Sequence, residues 1–491
     1  MKLFPVRGGV HPEYRKDRTA ECAIVALPMP ERLFLPLQQH IGAPASPVVA
    51  PGDQVRKGQL LATAQGAVSA PVHAPTSGTI VDIADCLAPH PSGMSQKTII
   101  LETDGKDEWA DLPAGLDDPF AVDGKEIGKR VAAAGIVGLG GATFPSSVKL
   151  SLGTQKKLET LLLNGAECEP YLTCDDRVMR EYASEVVDGA RIMAHALGTP
   201  KIVVAIENNK PAALKAMAEA SSAFTNVTVV GVPVQYPMGS ERHLCQAITG
   251  LETPARMLTA DLGVVVHNVG TARAIHQAIR FGRPLLSRVV TVSGGAVADA
   301  KNVEVPLGTM VSELVEFCGG LRGEAKRLIS GGPMMGNPLP ALFVPVVKGT
   351  CGILALTAAE CNEAPPGPCI RCGTCVTICP CGLVPVEMAA FIRKDNLEAA
   401  QRIGVMDCVS CGSCSYICPS HIPLVQYFNY AKGAINAKDR EARKQDHIKV
   451  LVEAHNARLE KAAAAKKAAA AKAAAAKKAQ STPTADSKVS A

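Results

Sequence analysis

Two cysteine runs with the same spacing constrain this chain more than anything else in it. They are Cys369-x-x-Cys372-x-x-Cys375-x-x-x-Cys379-Pro380 and Cys408-x-x-Cys411-x-x-Cys414-x-x-x-Cys418-Pro419. Three thiolates at three-residue spacing can wrap one face of an iron–sulfur cube, because each sulfur reaches a different iron. In doubled runs of this kind the last cysteine ligates the other cluster. Cys369, Cys372, Cys375 and Cys418 are therefore assigned to one [4Fe–4S] cluster, and Cys408, Cys411, Cys414 and Cys379 to the other. Zinc takes its four ligands as two CxxC pairs, and a run of three leaves one sulfur surplus. Pro380 and Pro419 turn the chain away after the crossing cysteine, and Gly373 and Gly412 let the backbone approach the cluster. The 28 residues between Cys379 and Cys408 leave room for a helix, MAAFIRKDNLEAAQRI. Cys351, Cys361 and Cys381 are off-register and read as ordinary packing. Such a segment moves electrons.

The remaining composition narrows the setting. A chain of 491 residues holds several domains, since single cores stop growing well before that length. Neither the sequence nor its amino terminus, MKLFPVRGGVHPEYRKD, offers a membrane-length apolar run or a secretory core. The expectation is a cytosolic protein peripheral to a membrane, with no transmembrane segment of its own. Six lysines of the Ala/Lys tail (Lys461, Lys466, Lys467, Lys472, Lys477 and Lys478) account for more than the whole net charge of +5; without them the balance is −1. With only 4% aromatic residues the body offers few stacking platforms, so nucleic-acid binding is not expected. Eight of the 17 cysteines lie in the two runs, and in a reducing compartment that spacing fits metal ligation better than disulfides.

Along the chain the pattern changes four times. Residues 41–83 read as short strands between Gly and Pro turns, and G-D-x-V-x-x-G-Q-x-L-A followed by A-P-x-S-G-T-I resembles the barrel-sandwich domains of biotinyl and lipoyl carriers. No lysine occurs between Gln59 and Gln96, so the resemblance is to the fold and not to a swinging arm. From about 120 to 283, β-branched or Leu-rich runs (LETLLLNG, KIVVAIE, VTVVGV, LGVVVHN) alternate with amphipathic stretches, which predicts an α/β layer with a largely parallel sheet. Residues 286–350 turn β-rich with Gly-Gly turns, 362–368 (NEAPPGP) form a Pro-rich linker, and the chain after Ile422 turns helical. The closing KAAAAKKAAAAKAAAAKKA favours helix but has no apolar face to bury, and reads as a solvated extension.

A relay of single electrons that starts from a hydride donor needs a two-to-one converter, usually a flavin. The candidate is Gly138-Leu-Gly140-Gly141-Ala-Thr-Phe144-Pro-Ser-Ser-Val-Lys149, whose glycines would let backbone N–H groups approach a phosphate or a ring edge. This stretch looks like the flavin loop of the NADH-binding subunit of respiratory complex I, G-R-G-G-A-G-F-P-x-x-x-K, with Leu139 for the Arg and Thr143 for the last Gly. Asn164-Gly-Ala-Glu167-Cys-Glu169-Pro170 resembles N-x-D-E-S-E-P, His267-Asn268-Val-Gly-Thr271 resembles N-N-V-E-T, and Met238-Gly-Ser-Glu241 echoes C-G-E-E. Together with the GGVHPEYRK start, ISGGPMMG, the twin cysteine runs and the Ala/Lys tail, these pieces resemble the RnfC family, the C subunits of the Rnf (Rsx) electron-transport complex.

The resemblance implies a multidomain α/β protein. It would comprise a barrel-sandwich hybrid domain (1–115), an α/β FMN- and NADH-binding domain (116–284), a β-grasp-like domain (285–350), a two-[4Fe–4S] ferredoxin-like segment (351–432) and a helical Ala/Lys-rich tail (433–491). Gly138, Gly140, Gly141, Lys149, Asn164, Asn268 and Thr271 would hold FMN. Phe144 would stack on a ring of NADH, and Glu167, Glu169 and Glu241 would meet ribose or flavin edges, with Phe144 and Glu169 as the catalytic pair. Departures at Leu139, Ala166 and Ser240 remove polar contacts of the complex I pattern. The implied activity is NADH oxidation, with electrons passing through FMN and the two clusters to partner subunits at the cytoplasmic membrane face and, through them, to or from ferredoxin. Two alternatives stay open: a cobalamin reductase-like flavo-iron–sulfur protein, and a flavin-free relay or scaffold subunit.

Overall fold

The computed structural model describes residues 2–361 and 363–480. Asn362, at the head of the expected linker, and 481–491, the end of the expected tail, lie outside the described residues.

The first domain is built from two small antiparallel sheets. One has the order Arg32–Pro36, Ser95–Thr103, Gly78–Leu87, Gln54–Val55, and the other Ser46–Pro47, Leu60–Thr63, Val72–His73. Side chains alternate across a strand, so Leu33 and Leu35 are fully buried while Arg32 is exposed, and they meet Leu61, Ile80, Ile99 and Leu101 in the interior.

The second domain carries the expected parallel sheet, in the order Val227–Val232, Lys201–Glu207, Thr160–Gly165, Val264–Asn268. The near-continuous apolar runs of these strands follow from cover on both faces. Leu161, Leu163, Ile202, Val204 and Val265 enter one core with the helices Ala183–Leu197 and Val269–Phe281, whereas Leu162, Val203, Ala205 and Val266 enter another with the helix Glu241–Thr249. The long helix ends at Gly198, whose left-handed φ of 67° is the usual glycine stop.

Strands from three stretches of sequence make the third domain. Its six-stranded sheet runs Ile24–Ala26, Lys301–Pro306, Ser287–Ser293, Gly352–Leu356, Arg327–Ser330, Asn337–Pro338, with Val311 and Leu314 of the helix Val311–Phe317 in its core. The fully buried strand Gly352–Leu356 carries this sheet past the expected boundary at 350. Ile24–Ala26, expected within the first domain, pairs here in parallel with Asn302–Glu304.

The cysteine segment repeats one unit twice. Arg371 and Ser410 both have a φ of 56°, Gly373 and Gly412 follow at 77° and 78°, and the four-residue helices Thr374–Thr377 and Ser413–Tyr416 come next. Between the runs the structure corrects the single expected helix to two, Pro385–Arg393 and Leu397–Arg402. Asp395 turns left-handed at φ 55° and the side chain of Asn396 caps the second helix through Ala399 N–H. Two helices let Met388, Ile392 and Ala400 fold over a common core with Phe428 of the helix Leu424–Gln480, which leaves the body and is exposed over 436–478.

Candidate functional site

The carboxyl ends of parallel strands are where open α/β sheets receive ligands, and the motifs converge there. Asn164 and Asn268 end neighbouring strands, paired in register. The glycine loop folds back over them: Gly138 N–H donates to Phe144 O at 2.8 Å and Thr143 N–H to Gly138 O at 3.2 Å. Leu139 is clamped from both sides, its N–H donating to Thr271 Oγ1 at 2.9 Å and its carbonyl accepting from Arg288 at 3.0 Å, which turns its side chain into the core. The crest of the loop is left to Gly140 and Gly141. Gly141 has a φ of 105° and a Cβ there would meet nothing within 4 Å, so the crest is open at this residue. A Cβ on Gly140 would come 3.3 Å from that of Asn268, the residue whose side chain caps the helix Val269–Phe281.

Other proposed residues are held in defined ways around this crest. Lys149 Nζ donates to Glu241 at 2.9 Å and to Val266 O at 3.0 Å. Glu241 also accepts from the Thr259 hydroxyl at 2.6 Å. Asn164 Nδ2 donates to Gly239 O at 2.8 Å, tying two motif loops together. His267, one residue before Asn268, is buried with Nε2 unpartnered among the described residues, and burial, with Lys149 nearby, holds its pKa well below the ordinary value. Phe144 is half-buried at the loop's far end.

Three of the residues expected to meet a ligand also bond backbone. The Thr271 hydroxyl holds Leu139. The Glu167 carboxylate accepts from Asp175 N–H at 2.6 Å and Asp176 N–H at 3.2 Å, capping the helix Cys174–Glu181. Glu169 accepts from Met334 N–H at 3.0 Å and Met335 N–H at 2.8 Å, so it fastens the ISGGPMMG loop of the third domain, and burial pushes its pKa up to about 7. Two lysines that the sequence did not single out, Lys16, half-buried, and Lys210, buried, hold the same loop. Lys16 donates to Glu167 O at 2.6 Å and Leu172 O at 2.7 Å, and Lys210, ion-paired with Glu207 at 2.9 Å, donates to Ala166 O at 2.7 Å.

The cysteines gather into two foursomes. Burial first, then the nearby Cys372, Cys369 and Cys418, raise the thiol pKa of Cys375. Burial first, then Cys408, Cys411 and Cys379, raise that of Cys414. Donors already point at the sulfurs: Arg371 N–H at Cys369, Ser410 N–H at Cys408 and Leu383 N–H at Cys379, each at 3.4 Å. Four thiols per set, with N–H groups toward them, suit a negatively charged cubane. Cys381 lies close to the second set, its thiol pushed up to about 12 by burial and then by Cys379 and Cys408.

The foursomes differ in depth. Cys369 and Cys372 are exposed, whereas Cys379, Cys411 and Cys414 are buried. The buried set abuts the flavin side. Tyr236 Oη donates to Cys411 O at 2.7 Å, and Cys411, Tyr236, Val10 and Cys168 of the Asn164–Pro170 motif share one apolar cluster. The amino terminus is laced through this seam, with Gly9 N–H donating to Ile378 O at 2.9 Å and Val10 paired with Tyr236 in both directions. A Cβ on Gly8 would lie 2.5 Å from Ile378 O and one on Gly9 2.8 Å from Tyr236 O, which explains the paired glycines of GGVHPEYRK.

This arrangement defines a class, a flavin-bearing iron–sulfur electron-transfer protein, and comparison with known families agrees domain by domain. Family models match as an RnfC barrel sandwich hybrid domain over 4–106, a Nuo51 FMN-binding domain over 131–277, an SLBB domain over 289–338 and a 4Fe-4S dicluster domain over 368–422. The chain is 55% identical over 446 residues to the C subunit of the ion-translocating oxidoreductase complex of Rhodobacter capsulatus, covering 90% of this chain and 85% of that protein. It is 47% identical to the C subunit of the proton-translocating ferredoxin:NAD(+) oxidoreductase complex of Clostridium ljungdahlii, covering 88% and 94%. Against the C subunit of the ion-translocating complex of Pseudomonas aeruginosa the identity is 43%, covering 94% and 59%. The chain belongs to this family, the C subunits of ion-translocating oxidoreductase complexes. Among the described residues no helix is long and apolar enough to cross a membrane.

Proposed function

We propose that this chain is the NADH-oxidising electron-input subunit of a membrane-bound, ion-translocating NADH:ferredoxin oxidoreductase, lying peripherally at the cytoplasmic face of the inner membrane. One observation carries the reading: the buried cysteine foursome meets the flavin side through Tyr236 and Cys411, while Cys369 and Cys372 of the other foursome are exposed. FMN, when bound, takes electrons in pairs and releases them singly, and cubane clusters pass them one at a time.

The residues divide that work. Lys149 supplies a cation, and Gly140 and Gly141 supply N–H groups, for the flavin phosphate and ring edge. Asn164, Glu241 and Asn268 line the approach at the strand ends, and Phe144 offers the stacking face. Glu167, Glu169 and Thr271 hold the loops that these groups stand on. Cys379, Cys408, Cys411 and Cys414 hold the inner cluster, and Cys369, Cys372, Cys375 and Cys418 the outer one, from which a partner protein of the complex draws electrons. In this reading the six-stranded domain is β-grasp-like and the cysteine segment ferredoxin-like.

Cofactor analysis of anaerobically purified protein tests this. Expected are one FMN, about eight irons and about eight sulfides per chain, with the flavin bleached by NADH. Full iron without flavin would favour the relay or scaffold alternative, and stoichiometric zinc without iron would overturn both.

A further inference from the structure

A cavity of about 300 Å³ lies beside the Leu139 clamp, where three domains meet; its lining includes Leu139 and Gly270 but none of Gly138, Gly140, Gly141 or Lys149. Lys57 and Trp109 reach it from the barrel-sandwich domain, Asp175 and Gln277 from the α/β domain, and Arg283 and Arg288 from the chain entering the six-stranded sheet. Its size is at the lower end for a small-molecule site.

Basic side chains outnumber acids in its lining, Lys57, Arg273, Arg283 and Arg288 against Asp175 and Glu304. Arg288 is only 6% exposed, and its recorded bonds go to two backbone carbonyls, Leu139 O at 3.0 Å and Thr350 O at 3.3 Å. Among the described residues no carboxylate lies within ion-pair distance of Arg288 or of Arg283, which bonds only the side-chain oxygen and backbone carbonyl of Gln277. The acids lining the cavity are engaged elsewhere. Glu304 takes Arg273 at 3.6 Å and the Ser287 hydroxyl at 2.8 Å. Asp175 accepts from Asn268 at 2.6 Å; burial first, then Glu167, raise its pKa to about 7, while Asn268 and Arg288 act to lower it. A buried guanidinium that bonds only carbonyls, with Asp175 as its nearby opposite charge but not in ion-pair contact, can still take an anion as a direct partner, and planar guanidinium groups favour phosphate. Trp109, the only tryptophan of the chain, stands at the same opening with 39% exposure, the Arg283 guanidinium 5.5 Å and Lys57 Nζ 4.8 Å from its ring. It is a half-open platform for a planar ring.

We propose that this cavity is a second ligand site, separate from the flavin crest, for a small phosphorylated molecule with a planar ring, of the nucleoside monophosphate class. The ring stacks at Trp109, and the phosphate lies between Arg283 and Arg288. Because Arg288 also holds the carbonyl of Leu139, an occupant acts on the loop whose crest is Gly140 and Gly141, so the site is placed to modulate flavin chemistry without touching the flavin.

Trp109 supplies its own reporter. AMP titrated into the purified holoprotein should change Trp109 emission saturably, and calorimetry should count one site. Adenosine and inorganic phosphate, each half of the probe, should bind at least about tenfold more weakly, a loss of about 1.4 kcal/mol. Arg283→Gln should weaken AMP by a similar factor while leaving the KM for NADH unchanged, and AMP should still bind when the protein is saturated with NADH. No saturable response to millimolar AMP in the wild type, an equal response in Arg283→Gln, or displacement of AMP by NADH would each overturn the proposal; the last would place AMP at the nicotinamide site.

Discussion

The phenol of Tyr236 donates to the backbone carbonyl of Cys411 at 2.7 Å, and this bond crosses from the flavin-side loop to the inner cysteine run. Tyr236 is 1% exposed and its own backbone is paired with Val10 in both directions. Tyr236→Phe keeps the ring and removes the donor, leaving the Cys411 carbonyl short of a buried partner, which costs about 1–3 kcal/mol. The expected outcome is a lower unfolding temperature together with a shifted reduction potential for the inner cluster, since hydrogen bonding around a cluster sets its potential. Redox titration followed by electron paramagnetic resonance reads the second effect. A variant that loses stability but keeps both cluster potentials would reduce Tyr236 to a packing residue.

Lys149 ties the glycine loop to Glu241 and to the strand end at Val266 O. If it also meets the flavin phosphate, Lys149→Ala should weaken flavin retention by roughly 1.5–3 kcal/mol, the range for a bond to a charged group. Lys149→Arg should recover part of it. Flavin released on gel filtration, measured by fluorescence, checks this. Full retention in Lys149→Ala would move the phosphate elsewhere on the crest.

The parts of this molecule legible in sequence were those that depend on neighbours along the chain. Three-residue spacing marked the cysteine runs. Continuous Val, Ile and Leu runs marked Thr160–Gly165, Lys201–Glu207 and Val264–Asn268 as strands buried on both faces. What the sequence hid lies in contacts between distant segments. Gly8 and Gly9 stood out as a motif, but their role depends on Ile378, some 370 residues away. Lys16, which bonds Glu167 O, and Arg288, which bonds Leu139 O, drew no reading from the sequence, because nothing local shows these long-range contacts. The glutamates of Asn164–Pro170 were expected to face a ligand. Glu167 and Glu169 accept backbone N–H groups, a use of carboxylates that residue type alone does not separate from ligand binding. Asp395 and Asn396 could have announced the break in the expected helix, since both favour the turn that splits it.

Glu169 makes stability depend on pH. Burial raises its pKa from 4.5 to about 7, against the N–H groups of Met334 and Met335, which favour the charged form. An acid whose pKa is raised by folding binds its proton more tightly in the folded state. Its contribution is therefore full below about 4.5 and is lost as pH climbs to about 7, a change of roughly 3 kcal/mol at most. Glu169→Gln resembles the protonated acid at every pH. Its unfolding temperature should fall less than that of the wild type between pH 4.5 and 7. Parallel melting curves for the two proteins would refute burial as the dominant influence on this carboxyl.

The difference in depth between the foursomes predicts an order for electron flow, inner before outer, and two substitutions test the steps separately. Cys411 lies in the apolar seam with Tyr236 and Cys168, whereas Cys372 is exposed, 3.4 Å from the Thr374 hydroxyl. Replacing either with Ser leaves the strands and loops of the flavin side covalently intact, so NADH should still reduce the flavin at the wild-type single-turnover rate in both variants. With Cys372→Ser, reducing equivalents should reach the inner cluster and stop, because the altered ligand shifts or destroys the outer one. With Cys411→Ser they should stop at the flavin, and the intact outer cluster should stay oxidised. Steady-state transfer to the physiological partner should collapse in both variants, while small dyes that meet the flavin directly are spared. Stopped-flow absorbance follows the flavin, and freeze-quenched electron paramagnetic resonance follows each cluster. An outer cluster reduced at the wild-type rate in Cys411→Ser would mean that electrons reach it without the inner one, and the order argued from burial would have to be abandoned.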